Sequence, residues 1–96
     1  MSNIQKVTDA IVQQGMLPLY FNADETTTID ILKTIYKAGI KAVEYTNRGE
    51  AALKNFAKMV EVRNAEMPDL LLGIGTIKNV EQAKAFEAVG ADFYIS

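Results

Sequence analysis

The chain has 96 residues, of which 49% are hydrophobic and 23% are charged, the balance of an ordinary globular domain. It contains no cysteine and no histidine, which excludes disulfides, thiolate metal sites and histidine acid–base chemistry. The ten basic residues are scattered among twelve acidic ones, so nucleic acid is not an expected partner. The start of the chain lacks the apolar core of a signal peptide, and no apolar run reaches the roughly 20 residues that span a bilayer. We therefore expect a cytoplasmic protein that does not bind membranes.

Helical and strand-like patterns alternate from the beginning of the chain. Apolar residues recur at helical spacing over residues 2–14, which predicts a first helix. The apolar run over residues 16–21 predicts a buried strand, although Pro18 favours an edge position or a strand start. The polar stretch that follows ends in a second helix, for which Thr27 or Thr28 is the predicted N-cap.

The rest of the chain repeats this alternation. The third helix is predicted to bury Leu53, Phe56, Ala57 and Val60. The predicted elements after the second helix are a strand over 40–46, a helix over 49–64, a strand over 70–74, a helix from Asn79 to Gly90 and a strand over 93–95.

The order of elements is a helix followed by β-α-β-α-β-α-β. Strands that alternate with helices predict a parallel sheet, and strands that are apolar throughout predict a sheet covered on both faces. A complete TIM (β/α)8 barrel needs about 250 residues, so this chain has room for roughly half of one. No linker divides the sequence, and we predict a single α/β domain over residues 1–96. An open flavodoxin-like sheet is the alternative, and strand order separates the two.

An acidic residue interrupts the apolar second strand. Glu44 lies between Val43 and Tyr45, where a carboxylate is costly unless it is paired or functional. Residues two apart point the same way, so Glu44, Thr46 and Arg48 share one face. Arg48 would lie at the carboxyl-terminal rim, where parallel α/β folds bind ligands, and its guanidinium could hold a carboxylate. A structural Glu44–Arg48 pair, or a glutamate that reaches solvent, explains the pattern about equally well.

Two glycines and a hydroxyl residue end the third strand, in the sequence GIGT over residues 73–76. Such glycines allow a ligand or backbone to approach closely, and Thr76 can bind a small anion. A tight turn explains the motif nearly as well, and the third glycine of a dinucleotide fingerprint is missing. Lys78 follows in the same loop. It is more typical of a surface charge than of a nucleophile, although it is the candidate for any imine chemistry within this chain.

Three segments together resemble the 2-keto-3-deoxy-6-phosphogluconate and 4-hydroxy-2-oxoglutarate aldolase family. Residues 42–48 (AVEYTNR) are similar to its second-strand motif Val-Glu-x-Thr-x-Arg, and residues 73–77 (GIGTI) to its third-strand motif Gly-x-Gly-Thr-Val. Residues 90–96 (GADFYIS) are similar to its fourth-strand motif. The resemblance extends from the first helix to Ser96 and implies the N-terminal half of a TIM barrel.

The resemblance implies a lyase of carbohydrate metabolism, a class I aldolase that releases pyruvate and an aldehyde through a Schiff base. Glu44 matches the general acid–base glutamate of the family, and Arg48 matches the arginine that holds the carboxylate of pyruvate. Thr76, with Gly75 before it, matches the substrate-binding threonine. The Schiff-base lysine of the family belongs to the sixth strand, which residues 1–96 do not include. We therefore expect this chain alone to be inactive, and we expect no cofactor.

Four parallel strands cannot close a barrel, so the inner face of the sheet would meet water. We therefore expect a homo-oligomer, such as two copies that imitate an eight-stranded barrel, or a complementing C-terminal half. The expected ligand is a small keto acid like pyruvate. No third metal ligand accompanies Asp24 and Glu25 after the first strand, so no metal site is predicted. The alternative function is a non-catalytic half-barrel or flavodoxin-like scaffold.

Overall fold

The structure is a computed structural model that describes residues 4–95, in which four helices alternate with four strands. In chain order the elements are α1 (Ile4–Gln14), β1 (Leu19–Tyr20), α2 (Glu25–Lys37), β2 (Ala42–Thr46), α3 (Ala51–Glu66), β3 (Leu71–Gly75), α4 (Val80–Val89) and β4 (Phe93–Ile95). Residues 2 and 3 of the predicted first helix, and Ser96 of the last motif, lie outside the described residues. None of the helices within 4–95 is long and apolar enough to cross a membrane.

The strands lie side by side in chain order, β1-β2-β3-β4, and each is parallel to its neighbour. Consecutive strands of a (β/α)8 barrel follow one another in this way. A flavodoxin-like sheet has the order 2-1-3-4 instead, because its connections change direction at a switch point. The observed order confirms the predicted partial TIM-type α/β fold. The flavodoxin-like alternative is wrong for the described residues.

The two faces of the sheet are covered by different helices. On the outer face, β2 and β3 pack against α2, α3 and α4 in one buried cluster. The largest fully buried members of this cluster are Tyr45, Phe56, Leu32, Met59, Leu70, Leu72 and Ile74. On the inner face, α1 covers the base of the sheet, where Val7 joins Ala42 and Leu71 in a second cluster. Because alternate residues of a strand point to opposite faces, Glu44 and Thr46 share the inner face with Ala42.

The first strand is shorter than predicted. The apolar run over residues 16–21 contributes only the two residues of β1, so the predicted length is wrong. Within the described residues β1 pairs with β2 on one side alone, and Pro18 precedes it without an N–H to donate. The carbonyl oxygen of Pro18 accepts a hydrogen bond from the N–H of Glu44 at 2.9 Å. Strand β1 is therefore at an edge of the described sheet, one of the two positions that Pro18 predicted.

The helix caps show one wrong prediction and one confirmed prediction. The N-cap of α2 is Asp24, not Thr27 or Thr28. Its carboxylate accepts hydrogen bonds from the N–H and the hydroxyl of Thr27, both at 2.8 Å, and these bonds lower the pKa of Asp24. Aspartate caps a helix as well as threonine does, and its charge also suits the positive end of the helix dipole. Asn79 caps α4 as predicted, because its side chain accepts from the N–H of Gln82 at 2.8 Å.

Helix α3 buries two polar residues, and the hydrophobic periodicity of the sequence does not predict their burial. Leu53, which was predicted to be buried, is 38% exposed, so that prediction is wrong. Asn55 and Arg63 are buried instead. Arg63 can be buried because its Nη1 donates to the carboxylate of Asp92 at 2.6 Å and to the carbonyl oxygen of Leu70 at 2.9 Å. These bonds tie α3 to the amino-terminal end of the sheet.

A buried polar network fixes the loop between β1 and α2. The hydroxyl of Tyr45 donates to the carbonyl oxygen of Asn22 at 2.7 Å and lies 2.8 Å from Oγ1 of Thr28. Nδ2 of Asn55 donates to the same carbonyl oxygen at 3.0 Å and to the Tyr45 hydroxyl at 3.2 Å. Strand β2 and helices α2 and α3 therefore hold this loop at the carboxyl end of the sheet.

We expect Tyr45→Phe to lower the free energy of unfolding by about 0.5–1.5 kcal/mol, because it removes the buried hydrogen bonds that the hydroxyl makes with Asn22, Thr28 and Asn55. Urea unfolding followed by circular dichroism measures the change. Tyr94→Phe is the matched control, since the Tyr94 residue is 36% exposed and its hydroxyl makes no hydrogen bond within residues 4–95. Equal effects of the two substitutions would contradict the importance of the network.

Candidate active site

The carboxylate of Glu44 lies on the inner face of the sheet, against the backbone of β3. Glu44 is 7% exposed. A Cβ at Gly75 would overlap Oε2 of Glu44 and lie 2.6 Å from its Cδ. In the register of the two strands Glu44 is opposite Gly73, and Gly75 is opposite Thr46, so the side chain leans toward the carboxyl end of the sheet. Gly75 therefore provides the room in which the carboxylate lies.

The Glu44 carboxylate forms no ion pair with any residue in the described range 4–95. Burial disfavours the charged form and raises the pKa of Glu44. The structural pair with Arg48, one of the competing interpretations of the sequence, is not formed. A buried and unpaired carboxylate with a raised pKa is the kind of group that enzymes use to move protons.

A cavity of about 530 Å³ opens at the carboxyl ends of β2 and β3. Arg48 and Thr76, which the sequence singled out separately, line it together. The other lining residues are Thr46, Asn47, Gly49, Glu50, Lys78 and Gln82. Glu44 does not itself line this cavity, but it lies two residues before Thr46 on the same face of β2. The carboxylate is therefore deeper in the sheet, and the guanidinium is at the rim.

Thr76 has a backbone conformation that is uncommon for a residue with a side chain. Its φ is 64°, in the left-handed region. The N–H of Thr76 donates to the carbonyl oxygen of Ile95 at 2.9 Å, and its own carbonyl oxygen accepts from Nδ2 of Asn47 at 3.3 Å. The same Asn47 nitrogen donates to Oε1 of Gln82 at 3.2 Å. Backbone strain that neighbours hold in place in this way collects at functional sites.

A buried hydroxyl lies beside these groups and was not among the predicted site residues. Thr46 is 6% exposed. Within residues 4–95, its Oγ1 is the one buried side-chain polar atom that has no hydrogen-bond partner. The sequence carried a signal for it, since Thr46 lies midway between Glu44 and Arg48 on one strand face. A buried hydroxyl without a partner requires an explanation, because native folds satisfy nearly all such groups.

The remaining candidates from the sequence, Lys78, Asp24 and Glu25, lie in exposed or structural positions. Lys78 lines the cavity but is exposed, and its backbone N–H donates to Oε1 of Gln82 at 2.9 Å. Asp24 caps α2, and Glu25 lies 3.9 Å from Nζ of Lys54. Across residues 4–95 no three metal-binding side chains come together.

Comparison with known proteins identifies the family. The sequence profile of the family described as Aldolase: KDPG and KHG aldolase matches residues 7–96. The chain belongs to this family. The resemblance that the three strand motifs indicated is thereby confirmed. The match begins within α1 and includes every strand of the described sheet.

Relatives with curated names are 2-dehydro-3-deoxy-phosphogluconate aldolases. The protein of Pseudoalteromonas atlantica is 33% identical over 88 residues, which cover 92% of this chain and 39% of the relative. The protein of Haemophilus influenzae is 26% identical over 92 residues, which cover 96% of this chain and 42% of the relative. The chain therefore spans about two fifths of the length of these aldolases.

Solved structures of the family share the fold. The 2-keto-3-deoxy-6-phosphogluconate aldolase of Zymomonas mobilis, crystallised with 3-phosphoglycerate, superimposes with a TM-score of 0.71 at 24% identity. The matched part covers 83% of this chain and 36% of that enzyme. A second structure of the aldolase from this organism gives a TM-score of 0.72. At this level of identity, the structural similarity shows that the matched part of this chain has the same fold as these aldolases.

We expect Gly75→Ala to lower the free energy of unfolding by about 1–3 kcal/mol, because the new Cβ displaces the buried carboxylate. In a Glu44→Ala background the obstructing atoms are gone, and we expect a coupling of about 0.5–3 kcal/mol in the double-mutant cycle. Urea unfolding of the four proteins measures it.

Gly49→Ala is the matched control for this cycle. A Cβ at Gly49 would meet nothing closer than an atom of Phe21 at 4.0 Å. Its effect on the free energy of unfolding should stay within about 0.5 kcal/mol. Strictly additive effects of Gly75→Ala and Glu44→Ala would contradict the contact between the carboxylate and β3.

Proposed function

We propose that this chain supplies the active-site residues of a class I aldolase that transfer protons and bind the carboxylate of the substrate. The substrate would be 2-keto-3-deoxy-6-phosphogluconate or 4-hydroxy-2-oxoglutarate, and the products pyruvate and an aldehyde, made in the cytoplasm. The observation that carries the proposal is the buried, unpaired carboxylate of Glu44 beside a cavity that Arg48 and Thr76 line.

Glu44 is proposed as the general acid–base residue. In the cleavage direction a base removes the proton from the hydroxyl on C4, the C3–C4 bond breaks, and its electron pair moves into the imine formed on C2. The same group then returns a proton to C3 of the bound pyruvate. Burial raises the pKa of Glu44, which makes its carboxylate a better proton acceptor than that of an exposed glutamate.

Arg48, Thr76 and Gly75 are proposed to bind the keto-acid end of the substrate. A guanidinium presents two parallel N–H donors that match a carboxylate, and the Thr76 hydroxyl can add a third hydrogen bond. Both side chains line the cavity at the carboxyl ends of β2 and β3. Gly75 contributes by its missing side chain, because any Cβ there would push the Glu44 carboxylate away from β3.

The Schiff-base lysine is proposed to come from outside this half of the barrel, on the sixth strand that the family resemblance implies. Two apolar inner-face residues support a covering partner. Leu19 of β1 is 60% exposed, and Ile95 of β4 is 38% exposed. Leu19 is in register with Glu44, and Ile95 with Gly75, so both side chains point to the inner face at the two outer strands of the sheet. A complementing C-terminal half or a second copy of the chain would bury them.

The acid–base role can be tested in a chimera. Residues 7–95 replace the matching segment of the Pseudoalteromonas atlantica aldolase, and pyruvate release is followed with a coupled lactate dehydrogenase assay. We expect an active chimera in which Glu44→Gln lowers kcat by about 10²–10⁴-fold, because the proton acceptor is lost. The acidic limb of the pH–rate profile should also disappear, since protonation of Glu44 removes the base.

Glu61→Gln is the matched control, because Glu61 is an exposed glutamate on α3 and its substitution should leave kcat unchanged. Arg48→Lys should raise KM for the substrate, since a lysine lacks the paired donors of a guanidinium. A folded chimera that releases no pyruvate, or one that keeps its kcat after Glu44→Gln, would overturn the proposal.

The covering partner can be tested with the chain by itself. We expect static light scattering at low micromolar concentration to give a mass above that of the 10.6 kDa monomer, because burying the apolar inner face favours association. Leu19→Lys, which charges the edge strand, should shift the chain toward the monomer. A monodisperse monomer in the unsubstituted protein would contradict self-association, and the complementing half would then be the remaining partner.

A further inference from the structure

The two glycines of β3 that face inward each lie beneath one side chain from a neighbouring strand. A Cβ at Gly75 would overlap Oε2 of Glu44, which leans over from β2. A Cβ at Gly73 would overlap Cε2, Cζ and Cδ2 of Phe93, which leans over from β4. The motif GIGT therefore provides two adjacent spaces on the inner face, one filled by a carboxylate and the other by an aromatic ring.

We propose that Phe93 is the positioning residue of Glu44. Its ring occupies the space over Gly73 and leaves the Glu44 carboxylate only the space over Gly75, which lies nearer to the cavity. This inference rests on the acid–base role proposed for Glu44 and adds the residue that directs the carboxylate. Phe93 acts through Glu44 and itself touches no reacting atom.

The register of the strands supports this competition for space. Glu44 is opposite Gly73 on one side of β3 and Phe93 is opposite Gly73 on the other, so the three residues form one row across the inner face. The backbone of Gly73 is therefore the nearest bare part of β3 that the Glu44 side chain could cover. Neighbouring strands lie roughly 4.8 Å apart, so a ring edge over Gly73 extends toward Glu44. The carboxylate lies instead over Gly75, one row closer to the carboxyl end of the sheet.

Apolar neighbours hold the ring in this place. Phe93 is partly buried and packs against the cluster of Val7, Ala42 and Leu71 at the base of the sheet. Helix α1 contributes Val7 to this cluster, and Ala10 and Ile11 of the same helix also pack against it. Burial against these side chains favours a ring that lies down on the glycine over a ring that points into solvent.

Packing, and not attraction to a counter-charge, accounts for the place of the carboxylate. Within residues 4–95 Glu44 forms no ion pair. The neighbouring strands face it with Leu19, Gly73 and Gly75, none of which titrates. The charged residues that line the cavity beyond the end of β2 are Arg48, Glu50 and Lys78.

A double-mutant cycle tests the positioning role in the chain by itself. Leucine has no counterpart of the Cε2 and Cζ atoms but keeps most of the apolar volume, so Phe93→Leu vacates the space over Gly73 at a modest loss of packing. Gly75→Ala fills the space that the carboxylate now uses. We expect Gly75→Ala to lower the urea midpoint less in the Phe93→Leu background than in the unsubstituted chain, because the carboxylate can then move over Gly73. An equal loss in both backgrounds overturns the inference.

Two further backgrounds show whether the coupling passes through the carboxylate. In Glu44→Ala, the effects of Gly75→Ala and Phe93→Leu should be additive, since no carboxylate is left to displace. Coupling that persists in Glu44→Ala overturns the inference. Tyr94→Leu is the matched control, because Tyr94 is the next aromatic residue of β4 and points to the opposite face of the sheet. It should not change the effect of Gly75→Ala.

Titration of the Glu44 carboxyl by ¹³C NMR gives a measurement that does not depend on the folding of Gly75→Ala. Burial raises the pKa of Glu44 in the unsubstituted chain. We expect Phe93→Leu to lower this pKa, with an increase of about threefold or more in the acid dissociation constant, because water reaches a carboxylate that has lost its apolar neighbour. An unchanged titration in a folded Phe93→Leu chain contradicts the positioning role.

These measurements use no substrate, so their outcome is distinct from that of the proposed function. If Glu44→Gln leaves kcat of the chimera unchanged, the acid–base role fails, and the coupling still decides whether Phe93 positions the carboxylate. If the chimera cleaves substrate in a Glu44-dependent way and the coupling is absent, the inference fails alone. Where both hold, Phe93→Leu should move the acidic limb of the pH–rate profile to lower pH, whereas Tyr94→Leu should leave it in place.

Discussion

The contact between the Glu44 carboxylate and the bare backbone of Gly75 sets the arrangement of the inner face. A carboxylate needs room on the crowded surface of a parallel sheet, and the neighbouring strand provides it by carrying no side chain at that point. The carboxylate then lies buried without a counter-charge, which raises its pKa. The next residue on the same face, Thr46, is buried with its hydroxyl unsatisfied. One strand therefore carries a carboxylate without a counter-charge and a buried hydroxyl without a hydrogen-bond partner.

The outer face of the same strand explains how such a site is tolerated. Val43 and Tyr45 pack into the apolar cluster formed with α2, α3 and α4, and Tyr45 also satisfies its hydroxyl in the network with Asn22 and Asn55. The groups that meet in that network all have partners, so the network contributes to stability. One strand thus keeps its stabilising contacts on one face and its unsatisfied groups on the other. The contacts that stabilise the strand are thus separated from the polar groups that have no partner within the described residues.

Within the described residues, two edges of the sheet and part of its inner face are uncovered. Its outer strands β1 and β4 each pair on one side within the described residues, and apolar Leu19 and Ile95 are partly exposed on the inner face. Helix α1 covers only the base, around Val7. The cavity near Arg48 consequently opens at the end of the sheet that α1 leaves free. These observations agree with a chain that spans about two fifths of its curated relatives.

The sequence by itself determined the alternation of elements, their parallel sheet, the aldolase family and the anomaly at Glu44. The alternation, the sheet and the anomaly follow from local periodicity and from residue types that stand out against it, whereas the family follows from the resemblance of three strand motifs to those of known aldolases. Three features depended on tertiary structure: the short edge strand after Pro18, the inward turn of Asn55 on α3, and the choice of Asp24 as a cap. In the first two, packing and hydrogen bonds with residues distant in sequence outweighed local preference, and among equivalent caps the fold selected one. The unsatisfied hydroxyl of Thr46 belongs to the same class, because the absence of a partner can be established only when all neighbours in space are known.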